Sequence, residues 1–365
     1  MHFCVTLRSI PGLVRRAFSC QFYVSSSTAR GDMRHSMNLT QLKSGLLLCS
    51  IAIMTTFGAD LLRAEVIITE GEESIRVEID GELFTEWQHK AWSVPYLYPV
   101  IGPNGENITR HFPMKKGVPG EQEDHPHHRS IRFSHRKVNG LSFWSPDTMR
   151  DGRTAKIDLV EVEKIENGET GTVVLKNSWI GDGKPIISEI VTLRFIPLEK
   201  HQVLMDYDMA LTALDEDVLF EDEKDGGLSI RVAGSMKVAD RKTKTGDGTI
   251  QNSNGEINDE AWGKRAEWCD YFGPDPSGKM VGIAIFDHPS NLRYPTTWHA
   301  RTYGLLAANR FGTGFFEAYK GAKKGDGDYT IKAGETLTLR HRFYIHHGNP
   351  DTAGVADQYA KYIAE

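Results

Sequence analysis

Long runs in which apolar and polar residues strictly alternate limit what this chain can fold into. Val203, Met205, Tyr207, Met209 and Leu211 alternate with Leu204, Asp206, Asp208 and Ala210. Leu337, Leu339, His341, Phe343 and Ile345 alternate with Thr338, Arg340, Arg342 and Tyr344, and Val191, Leu193 and Phe195 with Thr192 and Arg194. A side-chain period of two sets one face of an extended strand on a core and the other toward water or a cleft. The punctuation agrees: Asp80-Gly81, Asn104-Gly105, Asn139-Gly140 and Asn167-Gly168 supply the positive φ angles of two-residue hairpin turns. Only 352–364 reads as a helix, with Ala353, Val355, Ala356, Tyr359 and Ile363 as its apolar stripe and Asp351 as its N-cap. The Gly/Lys/Asp-rich stretches 240–260 and 321–328 read as long exposed loops. The expected fold is all-β, a large antiparallel β-sandwich of two stacked sheets with a short C-terminal helix.

The first 64 residues break the pattern. Residues 37–64 hold a weakly basic opening, about a dozen mostly apolar residues from Gly45 to Phe57, and Ala64 as a cleavage point with Gly58 and Ala59 as alternatives; they read as a signal peptide. Residues 1–36 read as an overextended translation start, and a tethered N-terminal anchor is the competing reading of the whole segment. The expectation is one exported domain, 65–365, periplasmic or extracellular. The leader carries 7 of the 43 Lys+Arg and 2 of the 49 Asp+Glu, so the remainder has a net charge of −11. An acidic body without a basic stripe argues against nucleic-acid binding. No later stretch is apolar for the ~20 residues a span needs, so no stable membrane insertion is expected after cleavage. Cys4, Cys20 and Cys49 leave with the leader. Cys269 alone excludes an intrachain disulfide and a cysteine-based metal cluster, and it reads as a small buried hydrophobe.

Chemistry-bearing residues concentrate in 121–144. Glu121, Asp124, His125, His127, His128 and Arg129 fall within nine positions, followed by Phe143 and Trp144. Histidine titrates near neutrality, ligates metals and transfers protons, so this block is the primary candidate site. A second cluster, 287–311, offers Asp287, His288, Asn291, Arg293, Trp298, His299, Arg301, Tyr303 and Asn309. On a strand, Trp298, Ala300 and Thr302 share one face, and His299, Arg301 and Tyr303 the other. A third, 220–231, offers Lys224 and Arg231 beside Glu221, Asp222, Glu223 and Asp225, and a fourth offers Trp262, Trp268 and Tyr271. Nucleotide-loop, nucleophile-elbow and zincin motifs are absent from the sequence.

Six blocks, PYLYPVIGPNGENITRHFP (95–113), GEQEDHPHHRSIRF (120–133), NGLSFW (139–144), DGGLSIRVAG (225–234), AWGKRAEWCDYFG (261–273) and DHPSNLRYPTTWHARTYGLLAANRFG (287–312), resemble the secreted bacterial family catalogued as PmoA-like, or DUF6807. Arg310 departs from the proline common there. The methane monooxygenase in that label is not implied, because such a membrane subunit needs several apolar spans. The resemblance implies the large β-sandwich of galactose mutarotases, whose concave sheet is lined with His, Arg, Trp and carboxylates.

The functional expectation is a carbohydrate-active protein, an enzyme by acid–base chemistry, with hydrolysis, elimination and epimerisation all open. His125, His127, His128, His299, Glu121 and Asp124 are the catalytic candidates. Arg129, Lys224, Arg231, Trp262, Arg293, Trp298, Arg301 and Tyr303 are the candidates for substrate binding. One alternative is a non-catalytic glycan binder that relies on the tryptophans. The other is an enzyme dependent on a divalent metal such as Zn or Cu, held by His125, His127 and Glu121.

Overall fold

The computed structural model describes residues 64–240 and 246–365; the expected signal peptide and translation start lie outside the described residues, save Ala64. The chain begins with β1 (Val66–Glu70), β2 (Ser74–Ile79), β3 (Glu82–Gln88), β4 (Tyr96–Val100) and β5 (Ile131–His135). It crosses to a second sheet for β6 (Ala155–Glu166), β7 (Gly171–Gly181), β8 (Lys184–Pro197) and β9 (Val203–Ala213). After β10 (Val218–Phe220), β11 (Gly226–Arg231) returns beside β5. Then come β12 (Thr249–Asn252), β13 (Trp268–Pro274), β14 (Met280–Asp287), β15 (Thr297–Trp298), β16 (Leu305–Asn309), β17 (Tyr329–Ile331) and β18 (Thr336–His347). The first sheet runs β1-β2-β3-β4-β5-β11-β16-β15 and the second β12-β13-β14-β18-β9-β8-β7-β6, eight antiparallel strands each.

The alternating runs explain the layering. Val203, Met205, Tyr207, Met209 and Leu211 of β9 are all buried in one core with Ile131 and Phe133 of β5 and Leu228 and Ile230 of β11. Aromatic pairs bridge the two sheets: Phe84 meets Phe195 at 5.9 Å, Trp87 meets Tyr207 at 6.2 Å and Phe133 meets Trp179 at 6.0 Å. The sandwich is the all-β architecture that the periodicity dictates.

Several local expectations need correction. Asp80-Gly81 and Asn139-Gly140 have positive φ at both positions, whereas Asn104 and Asn167 do not. Asp182-Gly183 forms a further two-residue turn of the same kind, at φ 47° and 79°, between β7 and β8. The stretch 240–260 is not all loop, because β12 pairs with β13 and buries Ile250 and Asn252. The C-terminal helix is two pieces, α2 (Pro350–Ala353) and α3 (Val355–Ala364), α1 being the short Thr313–Phe316 turn. Gly354 in the left-handed region separates the pieces, and Asn349, in a capping box with Thr352, is the N-cap where Asp351 was expected. Val355, Tyr359 and Tyr362 pack on Leu204, Ala284, Phe286 and Tyr344, while Ile363 is exposed. The helix therefore covers part of the outer face of the second sheet. Arg310 is buried, bonding Asp287 at 3.1 Å and the Leu292 carbonyl at 3.1 Å beside His341. No helix among the described residues is long and apolar enough to cross a membrane.

Candidate functional site

Leu228 and Ile230 point into the sandwich, so Ser229 and Arg231 must lie on the outer face of the first sheet. Strand register then lines up Arg132, Ser229 and Ala307, and backbone bonds between His299 and Ala307 extend that row to His299. Four strands at about 4.8 Å spacing put Arg132 and His299 roughly 14 Å apart. Only the short side chains of Ser229 and Ala307 stand between them. The next row places Arg231, Leu305 and Arg301 side by side, because Leu305 pairs with both arginines. The space above this floor is reached by groups from the connecting loops.

The main contributor is the segment 121–129, and Arg110 holds it in shape. The buried Arg110 guanidinium donates to the carbonyls of Gln122 (3.1 Å), Asp124 (2.7 Å), His125 (2.8 Å) and His128 (3.1 Å), and to Asp124 Oδ1 (2.9 Å). Burial, joined by the neighbouring Arg231, lowers its pKa to about 9. With its carbonyls tied down, the loop adopts the left-handed φ of 45° at His125, a conformation costly for a residue with a Cβ.

The side chains converge on one carboxylate. Asp124 Oδ2 lies 2.9 Å from His125 Nδ1, close enough for charge attraction although Nδ1 makes no well-formed hydrogen bond among the described residues, while Oδ1 accepts from Arg110 and from Arg231 at 3.2 Å. Burial raises the Asp124 pKa, but His125, Arg231 and Arg110 outweigh burial and hold the carboxyl well below its usual range. The His125 ring stacks on His128 at 4.8 Å and on Tyr303 at 5.7 Å, with His127 set edge-on to both histidines. Trp144 closes the far side of His128 at 5.5 Å, and Arg231 lies 4.6 Å over the Tyr303 ring. Burial, reinforced by Arg132 and His125, pushes His127 down to about 3. Burial and Arg231 push His128 well below its ordinary value. Both rings are therefore neutral near pH 7.

His299 forms the other wall. It is buried, lies 4.0 Å from Asp225, and neither ring nitrogen makes a well-formed hydrogen bond among the described residues. Burial outweighs the attraction of Asp225 and lowers its pKa to about 3. Asp225 is held ionised, since Lys224, His299 and Arg136 outweigh its burial. Asn309 fixes this corner by donating to the carbonyls of Glu223 and Lys224, both at 2.9 Å.

The structure thus brings Asp124, His125, His127, His128, Arg231 and Tyr303 together, with His299, Arg301 and Lys224 on the same face. Other candidates fall elsewhere. The Glu121 carboxylate accepts the backbone N–H groups of His111 and Phe112 and lines a separate depression with His111, Val118 and Ala233. These bonds make it a clamp on the loop. Among the described residues no group of three or more His, Cys, Asp or Glu is arranged to hold a metal. Trp298 is fully buried in the core, its indole donating to the Ala266 carbonyl at 3.0 Å, so it cannot stack on a ligand. Arg293 spends its guanidinium on the carbonyls of Arg310, Gly327 and Asp328 and is a loop staple. Trp262 stands at the margin, 5.4 Å from Phe316, which itself contacts His299. Arg129 lies 4.5 Å over Trp92 and 5.5 Å over Tyr96. Arg110, Arg132 and Trp92 were not anticipated. Arg132, sandwiched between Trp92 (5.1 Å) and Trp144 (4.7 Å), was legible as the polar member of the alternating Ile131-Arg132-Phe133.

A family model described as "Family of unknown function (DUF6807)" matches residues 74–360. The chain belongs to this family. No curated protein matches it. Among solved structures, a polysaccharide lyase is similar at 11% identity and a TM-score of 0.28, over 80% of this chain. This chain spans about a third of that lyase's length, 34%. A GalM/aldose epimerase homologue from C. elegans is similar at 9% identity and a TM-score of 0.29, over 78% of this chain and 100% of that one.

Proposed function

We propose that this protein is an exported enzyme that moves a proton on a sugar, with His125 as the acid–base group and Asp124 as the residue that orients it. The observation that carries the reading is the 2.9 Å approach of Asp124 to His125 Nδ1, on a carboxylate pinned by two guanidiniums. A carboxylate this close to Nδ1 attracts the proton to that nitrogen and so favours the tautomer whose Nε2 lone pair accepts a proton. The 28% exposure of the His125 side chain leaves it reachable. The neutral His127, His128 and His299 supply further donors and acceptors without adding charge.

The same electrostatics separate the candidate reactions. Glycoside hydrolysis by paired carboxyls requires one to keep its proton near neutrality. Asp124 and Asp225, the carboxylates at the dyad and beside His299, are both held ionised by cations. Histidine-based proton abstraction, as in epimerisation or elimination, asks only for a neutral imidazole. The test is a screen of plant and algal saccharides for epimerised or unsaturated products, comparing the natural protein with His125→Gln. Turnover undiminished in His125→Gln, or products of hydrolysis alone, would refute this reading.

A further inference from the structure

Charge on the outer face of the first sheet is out of balance with the rest of the domain. The guanidiniums of Arg110, Arg129, Arg132, Arg231 and Arg301 gather there, in a body whose net charge after the leader is −11. Arg110 and Arg231 share Asp124, and Lys224 and Arg136 share Asp225. Among the described residues, Arg129, Arg132 and Arg301 have no carboxylate within ion-pair distance; Asp147, whose charge acts on Arg132, is exposed and bound to the Trp92 indole at 2.7 Å. Each of these three also has its Nε buried without a hydrogen-bond partner among the described residues.

Arg301 and Arg129 are the accessible pair, both half-buried and preorganised on aromatic rings. Arg301 lies 5.8 Å over Tyr303, the ring that His125 stacks upon, and Arg129 lies over Trp92 and Tyr96. A guanidinium stacked on an aromatic has already lost much of its freedom, so it binds a planar anion at little further entropic cost. Leaving such cations half-desolvated without a counter-ion is unfavourable unless a ligand supplies one.

Building on the sugar-active reading of this site, we infer that the ligand is an acidic saccharide, whose carboxylate is taken by Arg301 beside His125 and whose neighbouring acidic unit meets Arg129 at Trp92. The focused positive field of the face attracts such a ligand although the body repels it.

The experiment is calorimetric binding to the His125→Gln protein, which leaves Arg301 and Arg129 in place and Asp124 paired with Arg110 and Arg231. The probes are oligogalacturonate and oligoglucuronate, their neutral galactose and glucose counterparts of equal length, and a sulfated galactose oligomer. At least one uronate is expected to bind on the order of tenfold or more tighter than its neutral partner, with affinity falling as salt rises. Arg301→Gln should lose most of that preference and Arg301→Lys should keep part of it, with melting curves confirming that each is folded; Arg129→Gln supplies the same test on the second cation. No uronate preference, preference for the sulfated oligomer, or preference unchanged in both glutamine variants would overturn the inference. Its failure is distinguishable from failure of the catalytic reading. Turnover of neutral sugars keeps the catalytic reading and removes this one, whereas Arg301-dependent uronate binding without turnover does the reverse.

Discussion

Asp124 and His125 are neighbours in sequence whose side chains turn back on each other, Oδ2 to Nδ1 at 2.9 Å, across a backbone that His125 holds at φ 45°. Adjacent side chains ordinarily diverge on an extended chain, so this pairing requires the left-handed kink. Asp124→Asn keeps the shape and removes the charge. It is expected to lower kcat by about 10²- to 10⁴-fold with little change in KM, as for other orienting carboxylates. Steady-state kinetics on whichever saccharide turns over checks this, and a KM effect without a kcat effect would make Asp124 a binding residue.

Glu121 is the control for that experiment. Its carboxylate serves the backbone of His111 and Phe112, and a glutamine oxygen can still accept one of those bonds. Glu121→Gln should therefore cost about 1 kcal/mol of stability and leave turnover within a few-fold of the natural protein. A loss comparable to that of Asp124→Asn would restore Glu121 to the site.

Much of the architecture was legible because it rests on local alternation. β8, β9 and β18 bury the residues that period two selects, and a slip of one would turn all of them to the outer face. The convergence of 121–129 with 299–303 was not local. It depends on the strand order β5-β11-β16-β15, which carries one block to the other through pairings far apart in sequence. Trp298 and His299 show where parity alone falls short. Alternation assigns them to opposite faces, so both could not line one site, yet residue chemistry nominated both; the indole took the core because it has more apolar area to bury. Arg110 was invisible for another reason. Its partners are mainly backbone carbonyls, which leave no mark in a sequence.

Arg110→Met should show how much the loop owes to one side chain. Four carbonyls and a carboxylate would lose their donor in a buried setting, for an expected loss on the order of 3–5 kcal/mol. Hydrogen exchange should rise across 121–129 before it rises in β5 or β11, and turnover should vanish. Unchanged protection in that segment would mean the loop is held by its ring stacking instead.

Acid should destabilise the fold between about pH 6.5 and pH 4.5. His127 and His299 are lowered to about 3 and His135 to about 4, mainly by burial, and His128 and His341 are also strongly lowered by it. These rings stay neutral when folded but take protons near pH 6.5 once unfolded, so their contribution is present above that pH and is lost as pH falls toward the folded values. Glu189 and Asp208 oppose this, because burial raises them to about 7 and about 6 and their folded forms already hold the proton. Five groups outweigh two, each fully buried one giving a slope of at most roughly 1.4 kcal/mol per pH unit. Melting temperatures should fall over this window, and less steeply in His299→Gln. A rise on acidification would mean the histidines are protonated in the folded protein.

Trp298→Phe tests the assignment of the two faces. Trp298 lies in the core with its indole bonded to the Ala266 carbonyl, while the next residue, His299, faces outward. The substitution removes buried area and leaves that carbonyl without its donor, so a loss of about 2–3 kcal/mol is expected. A residue on the opposite side of the sheet acts on a ligand only through backbone movement. Saccharide affinity of the folded variant should therefore stay within about threefold, corresponding to less than 1 kcal/mol. Trp144→Phe, changed on the ligand side against His128, should show the opposite signature, with a smaller change in melting temperature and a larger one in affinity. If Trp298→Phe instead abolishes binding while its melting curve is unchanged, the outer face of the first sheet is not where the saccharide sits.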